Sequence, residues 1–433
     1  MEADILIENC TILPMDGRDI IEDGLIATKK NLITYADPKR KAPKIEAEKT
    51  IDALGMVAIP GLINCHTHLA MTLFRGVAED QPLETWLTEA IWPLEAKLKP
   101  QDIYYGSLLG CLEMIKSGTT CFADMYFHEE TVAKAVQKAG LRAALAPGLL
   151  ETLDKDLAEK TLKQTIQLVT KYHKPRSKIK IQLGPHTVYT CSLDFLKRIR
   201  ETATRHKIGI HIHLAESKDM TDKIEREHGQ TEVQLLESIG FLGSDVLAAH
   251  CIHLNQEDMQ TLAKHDVKIV YNPVANMKLA QGTAKIPDLQ KLGMTVSLGT
   301  DGPASNNTLD MLQNMKIAAL LQKAHYGDPT VLPAKTVLEM ATKNAAKALG
   351  LERTIGSLEP GKRADIALID FKKPHLTPQH NPYANIVYSA NGSDVQTLIV
   401  DGRMLMENRC VKTLDEDETV EKARETALNL LKR

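Results

Sequence analysis

Pro60-Gly-Leu-Ile-Asn-Cys-His66-Thr-His68 continues an apolar run that begins at Val57, and it reads as a β-strand ending in two histidines. Side chains two apart on a strand share a face, so both imidazoles can point into one space and grip one cation. Alone so short a motif is weak, since strand-end histidines serve as readily in plain hydrogen bonding. Its weight comes from what recurs downstream.

From this strand onward, brief apolar or β-branched runs alternate with longer helical patterns. The runs fall at 57–63, 119–123, 142–146, 178–183, 208–213, 246–249, 267–271 and 295–298, with helical periodicity between them, as at 131–139, 157–171, 231–238 and 308–323. Such alternation is the signature of βα units around a parallel sheet. A doubly wound sheet would show the same periodicity, but eight strands over this length match an α/β fold of the (β/α)8 TIM-barrel type. Residues 1–56 carry short apolar runs separated by turns, and the same texture returns in Asp365-Ile-Ala-Leu-Ile-Asp and in Val395-Gln-Thr-Leu-Ile-Val-Asp. The expected organisation is therefore a barrel over 57–355. A small β-sandwich domain is expected from 1–56 and 356–433, the latter ending in a helix.

Histidines and a carboxylate mark the ends of other barrel strands. The fifth reads Gly209-Ile-His211-Ile-His213-Leu-Ala-Glu216, the sixth ends Ala248-Ala-His250, and the eighth ends Gly299-Thr-Asp301-Gly. Active sites of such barrels are built at the carboxyl ends of the strands. Closure sets strand eight beside strand one, with strand five across the interior, so His66, His68, His213 and Asp301 can converge on one point. His211 lies one layer deeper and reads as a core histidine. Three imidazoles and one carboxylate suit Zn²⁺ first, while Fe²⁺, Mn²⁺, Ni²⁺ and Co²⁺ would also fit.

Composition excludes other classes. With 53 basic and 56 acidic residues among 433, the formal net charge is −3, which offers no basic excess for nucleic acid or an anionic membrane. No apolar run reaches the ~18 residues of a membrane span, and the acidic amino-terminal stretch does not resemble a signal peptide. Seven cysteines scattered without a C-x-x-C pair read as reduced thiols, hence a cytoplasmic protein.

The barrel motifs in this order resemble the amidohydrolase superfamily over nearly the whole chain. Gly356-Ser-Leu-Glu-Pro-Gly-Lys-Arg-Ala-Asp-Ile-Ala is similar to the segment that returns such chains to their β-sandwich. Where dinuclear members place a bridging lysine, this sequence has Gly184-Pro-His186, which implies a single metal. Within the superfamily, His66-Thr-His68-Leu-Ala-Met-Thr-Leu-Phe-Arg-Gly, Trp92-Pro-Leu-Glu95, Gly184-Pro-His186, His213-Leu-Ala-Glu216 and Gly299-Thr-Asp301-Gly resemble the deaminases of 5′-methylthioadenosine, S-adenosylhomocysteine and related 5′-modified adenosines.

That resemblance implies hydrolytic deamination of a small nucleoside, with roles for named residues. Asp301 would be ligand and proton acceptor, Glu216 would protonate ring nitrogen N1, and His250 would orient the water and stabilise charge at C6. Glu95 would hold the ribose hydroxyls, and His186 would touch substrate. Trp86 and Trp92 fall within the stretch 84–95 that ends in Glu95, and either line the site or pack its helix. A homo-oligomer is implied by family analogy only. One departure stands out: Ala146-Pro147-Gly148 occupies the place where a family arginine is expected to hold the amino-acid end of S-adenosylhomocysteine. Small uncharged 5′ groups are therefore expected. The rival readings are hydrolysis of a free base or an s-triazine, and a non-catalytic barrel. Glu95 discriminates against the base, which has no ribose, and the complete ligand set against the non-catalytic barrel.

Overall fold

The computed structural model describes residues 1–433. The alternating pattern becomes a ring of parallel strands: Leu62–Thr67, Thr119–Tyr126, Arg142–Leu149, Ile179–Ile181 with its continuation Gly184–Pro185, Ile210–Leu214, Val246–His250, Lys268–Tyr271 and Val296–Leu298. Hydrogen bonding divides them into two arcs, the first running to Gly184–Pro185 and the second starting at Ile210–Leu214. A parallel bridge between Leu183 and Ile210 joins the arcs on one side. On the other, the Asp301 N–H donates to the His66 carbonyl at 2.9 Å. The Asn64 side chain strengthens that seam, donating to Thr300 Oγ1 at 2.7 Å and accepting the Thr300 N–H at 3.0 Å. Close approach here depends on Gly299, where an added Cβ would lie 2.8 Å from that of His66.

The run expected as one strand at 57–63 is two strands with different partners. Met56–Pro60 lies antiparallel to Ile366–Asp370, with Pro60 opposite Ile366, and so belongs to the terminal sheet. The chain then crosses at Gly61, where a Cβ would collide with Thr120 at 2.1 Å, and enters the barrel as Leu62–Thr67. Residues 57–60, read from the sequence as the start of the barrel, thus belong to the terminal sheet instead. A continuously apolar run conceals such an exchange of partners, because neither face shows alternation.

The terminal sheet has nine strands, drawn from both ends of the chain. Glu2–Ile12 is its pivot. It pairs antiparallel with Ile21–Lys29, parallel with Glu46–Asp52 along its first part, and parallel with Met56–Pro60 at its end. Ile7, Ile12, Ile26, Ile366 and Ile399 are fully buried in a core separate from that of the barrel. Between barrel and sheet, Arg142 Nε lies 3.3 Å from Asp365 Oδ2, with both side chains buried.

Helices cover the outside of the barrel and start where the caps place them. Asp154 accepts the Leu157 N–H ahead of Lys155–Tyr172, and Asp310 accepts from Leu312 and Gln313 ahead of Met311–Tyr326. The last helix, Glu416–Leu431, leaves the terminal sheet and packs on the barrel helix Pro100–Lys116. Lys116–Glu416 at 2.8 Å and Arg433–Asp102 at 2.6 Å tie the two together. No helix is long and apolar enough to cross a membrane.

Candidate active site

At the carboxyl ends of the strands, donor atoms of His66, His68 and His213 all lie within 4.8 Å of one another, as do those of His66, His250 and Asp301. Asp301 Oδ1 stands 3.3 Å from His66 Nε2 and 3.2 Å from His68 Nε2. The far side of each ring is tied down. His68 Nδ1 donates to the Met125 carbonyl at 2.6 Å and His213 Nδ1 to the His186 carbonyl at 2.9 Å. A carbonyl only accepts, so each Nδ1 carries a proton and each Nε2 faces the centre. His66 Nδ1 lies 2.9 Å from His211 Nε2.

This donor set fits a divalent ion. His66 Nε2 is sealed from solvent and makes no hydrogen bond, an orphan that a cation would satisfy. Burial pushes the His66 ring down to about 4 and holds His213 well below the ordinary histidine range, so both stay neutral ligands. Burial also opposes charge on His68, but Asp301 beside it holds that ring up at about 9. Burial alone would raise Asp301, yet the His66 and His68 rings beside it keep it well below the usual carboxylate range.

The strand ends turn abruptly to present these groups. Ala215, His250 and Asp301 adopt left-handed backbone, with φ of +47°, +74° and +63°. Non-glycine residues carry strain there, a cost found chiefly where function holds the geometry. Ser305 Oγ donates to Asp301 Oδ2 at 2.7 Å and the Gly302 N–H to Oδ1 at 2.8 Å, which fixes the carboxylate.

Above the cluster is a cavity that is partly open to solvent. Met71, Leu83, Trp86, Leu87, Ile91 and Leu279 supply apolar wall; Glu95, His186, Glu216 and His250 supply polar groups; no lysine or arginine lines it. Glu216 Oε1 lies 3.7 Å from His250 Nε2, and burial raises its pKa while His250 pulls it back. His250 Nδ1 is 2.8 Å from Asn276 Oδ1, so it carries the proton and leaves Nε2 toward the cavity. His186 Nδ1 meets Thr190 Oγ1 at 3.1 Å, and burial pushes the ring down to about 3. Glu95 ends the helix Trp92–Glu95 and accepts a hydrogen bond from the Tyr126 hydroxyl at 2.7 Å. Burial lifts its pKa to about 7 against the pull of that bond.

Every residue singled out in the sequence for metal or substrate therefore reaches this place, with His66 directly beneath the cavity and the others on its surface. Trp86 and Trp92 both line it. Gly148, near the end of the third strand, contributes to the wall, and Arg142, at the start of that strand, is engaged with Asp365 instead. His211 is buried as expected but does more than fill the core, since it touches His66. Tyr126, Asn276 and Ser305 bond the site's side chains without any motif of their own. The one signal for Asn276 is Asn272-Pro-Val-Ala-Asn276 directly after the seventh strand, where two amides sit one helical turn apart.

Known proteins resemble this chain along nearly its whole length. The model of the amidohydrolase family matches residues 57–405. A 5-methylthioadenosine/S-adenosylhomocysteine deaminase of Desulforudis audaxviator is 48% identical over 429 residues, covering 99% of this chain and 99% of its own. A 5′-deoxyadenosine deaminase of Methanosarcina acetivorans is 47% identical, covering 100% of this chain and 99% of its own. Among solved structures, an adenosine deaminase from Xanthomonas campestris with bound zinc superposes with a TM-score of 0.96 at 29% identity, covering 100% of this chain and 99% of its own. An atrazine chlorohydrolase from Arthrobacter aurescens TC1 complexed with zinc gives 0.89 at 25%, covering 98% and 100%.

Proposed function

The chain belongs to the amidohydrolase family, and on that footing we propose that it hydrolytically deaminates 5′-modified adenosines, releasing ammonia and the inosine analogue. The observation that carries this reading is the placement of Glu95 in the same cavity as Glu216, His213 and Asp301. One end of the cavity offers a carboxylate to a vicinal diol, and the other offers acid and base groups to a purine edge.

His66, His68, His213 and Asp301 would hold one divalent ion, with zinc favoured by the nitrogen-rich donor set and by the zinc in related structures. When bound, such an ion supplies Lewis acidity and brings the pKa of coordinated water toward about 7. Buried Glu216, held toward its protonated form, donates to N1 of the adenine ring. Ionised Asp301 accepts one water proton and passes it to the departing amine. His250, with Nδ1 engaged by Asn276, presents Nε2 to orient the attacking water. A C6–O bond forms and the C6–N bond breaks. One water proton ends on ammonia; the other returns to Glu216, replacing the proton given to N1, so both carboxyls finish as they began.

The apolar, cation-free wall supports substrates with small uncharged 5′ groups, such as 5′-methylthioadenosine and 5′-deoxyadenosine, over S-adenosylhomocysteine. The cytoplasm is the proposed compartment, on the scattered cysteines, and a homo-oligomer is proposed on family analogy. Ammonia release from adenosine, 5′-deoxyadenosine, 5′-methylthioadenosine, S-adenosylhomocysteine, guanine and cytosine tests the reading, with metal content measured on the same sample. Turnover of the bases alone overturns the activity; a strong preference for S-adenosylhomocysteine overturns the proposed 5′ selectivity.

A further inference from the structure

We infer that Tyr126 is a positioning residue that makes Glu95 selective for an intact ribose 2′,3′-diol, and that it thereby sets ribonucleosides apart from their deoxy analogues; this rests on the nucleoside reading above. Tyr126 closes the second barrel strand, whereas Glu95 sits on the segment that crosses the cavity. The 2.7 Å bond between the Tyr126 hydroxyl and Glu95 Oε1 is a direct link between that segment and the barrel.

Tyr126 is itself held firmly. Its backbone N–H donates to Glu129 Oε1 at 3.0 Å, its ring lies 5.1 Å from that of Phe127 and 6.0 Å from that of His68, and its side chain is buried. The hydroxyl is thus a fixed point 2.7 Å from one carboxylate oxygen. A carboxylate pinned at one oxygen loses rotation about its terminal torsion, so the remaining lone pairs of Oε1 and Oε2 keep one direction. Two vicinal hydroxyls on a ribose ring need that fixed pair of acceptors, while a sugar with neither hydroxyl gains nothing from it. Tyr126 touches no reacting atom, and its contribution is felt in binding rather than in chemistry.

The test is Tyr126→Phe, which removes the hydroxyl and keeps the ring. Steady-state deamination is measured for adenosine and for 2′,3′-dideoxyadenosine, in the wild-type and Glu95→Gln backgrounds. Losing a hydrogen bond to a charged group should raise KM for adenosine about tenfold with kcat nearly constant. The dideoxy analogue should change less than about twofold. In the Glu95→Gln background, Tyr126→Phe should have no further effect on adenosine. An equal rise for both nucleosides, a fall confined to kcat, or full additivity of the two substitutions overturns the proposal. If the wild type deaminates neither nucleoside, the nucleoside reading itself fails, and this inference with it.

Discussion

His211 Nε2 lies 2.9 Å from Nδ1 of His66, below the ring nitrogen that faces Asp301. The contact fixes the ring of a proposed ligand from beneath, in a place that no solvent reaches. Replacing His211 by leucine should lower metal affinity about 10- to 100-fold, as is usual when the partner of a ligating histidine is lost. Competition with a chromophoric chelator reads this directly. Ammonia release should vanish on exhaustive chelation of either protein and return at lower free zinc for the wild type than for the variant. Equal affinity in both proteins would show that the contact does not support the ligand.

The carboxyl of Glu95 supplies a pH signature. Its pKa is lifted to about 7 by burial, against a downward pull from the Tyr126 hydroxyl and from His68. Only the ionised form accepts from both ribose hydroxyls. As pH falls through about 7 the group takes up a proton, and KM for adenosine should climb toward tenfold per pH unit; above that range it should level off. The profile is expected to be flat for 2′,3′-dideoxyadenosine. A KM that rises instead with increasing pH would contradict the assignment.

Asn276 holds His250 by the nitrogen that faces away from the cavity, at 2.8 Å. Replacement by alanine should cut kcat about tenfold or more while KM moves little, because a proton-handling ring loses its fixed orientation rather than its contact with substrate. Replacement by serine, which restores an acceptor, should recover part of that loss. A change confined to KM would argue that His250 serves in binding only.

The buried pair Arg142–Asp365, 3.3 Å apart, joins the third barrel strand to the terminal sheet. Arg142→Ala leaves a buried carboxylate without its partner and should cost about 3 to 5 kcal/mol. Arg142→Met combined with Asp365→Leu should recover most of it. Thermal unfolding reads both, and a double variant no better than the single one would mean the pair is stabilising in its own right.

Strand count and the identity of the chemical groups were legible in the sequence because each leaves a local trace, whereas closure was not, since a doubly wound sheet shows the same periodicity. A strand shows its period, and a histidine pair two apart declares a shared face. Two kinds of feature left none. The exchange of partners at Gly61 is hidden because the run that spans it, Val57-Ala-Ile-Pro-Gly-Leu-Ile63, is apolar throughout. Contacts such as Tyr126 with Glu95 and His211 with His66 join residues on separate elements, and pairing of that kind is written only in the folded geometry. The lack of a cation at Gly148 is plain in the sequence, but its place in the cavity wall is given by the fold.

The antiparallel pairing of Met56–Pro60 with Ile366–Asp370 also dictates an order of assembly. During translation the early strand emerges long before its neighbour exists, and its ladder groups wait while the whole barrel is made. Such distant pairings form slowly and leave an open edge in the interval. A nascent chain stalled short of residue 366 would therefore carry that strand with one edge still unpaired.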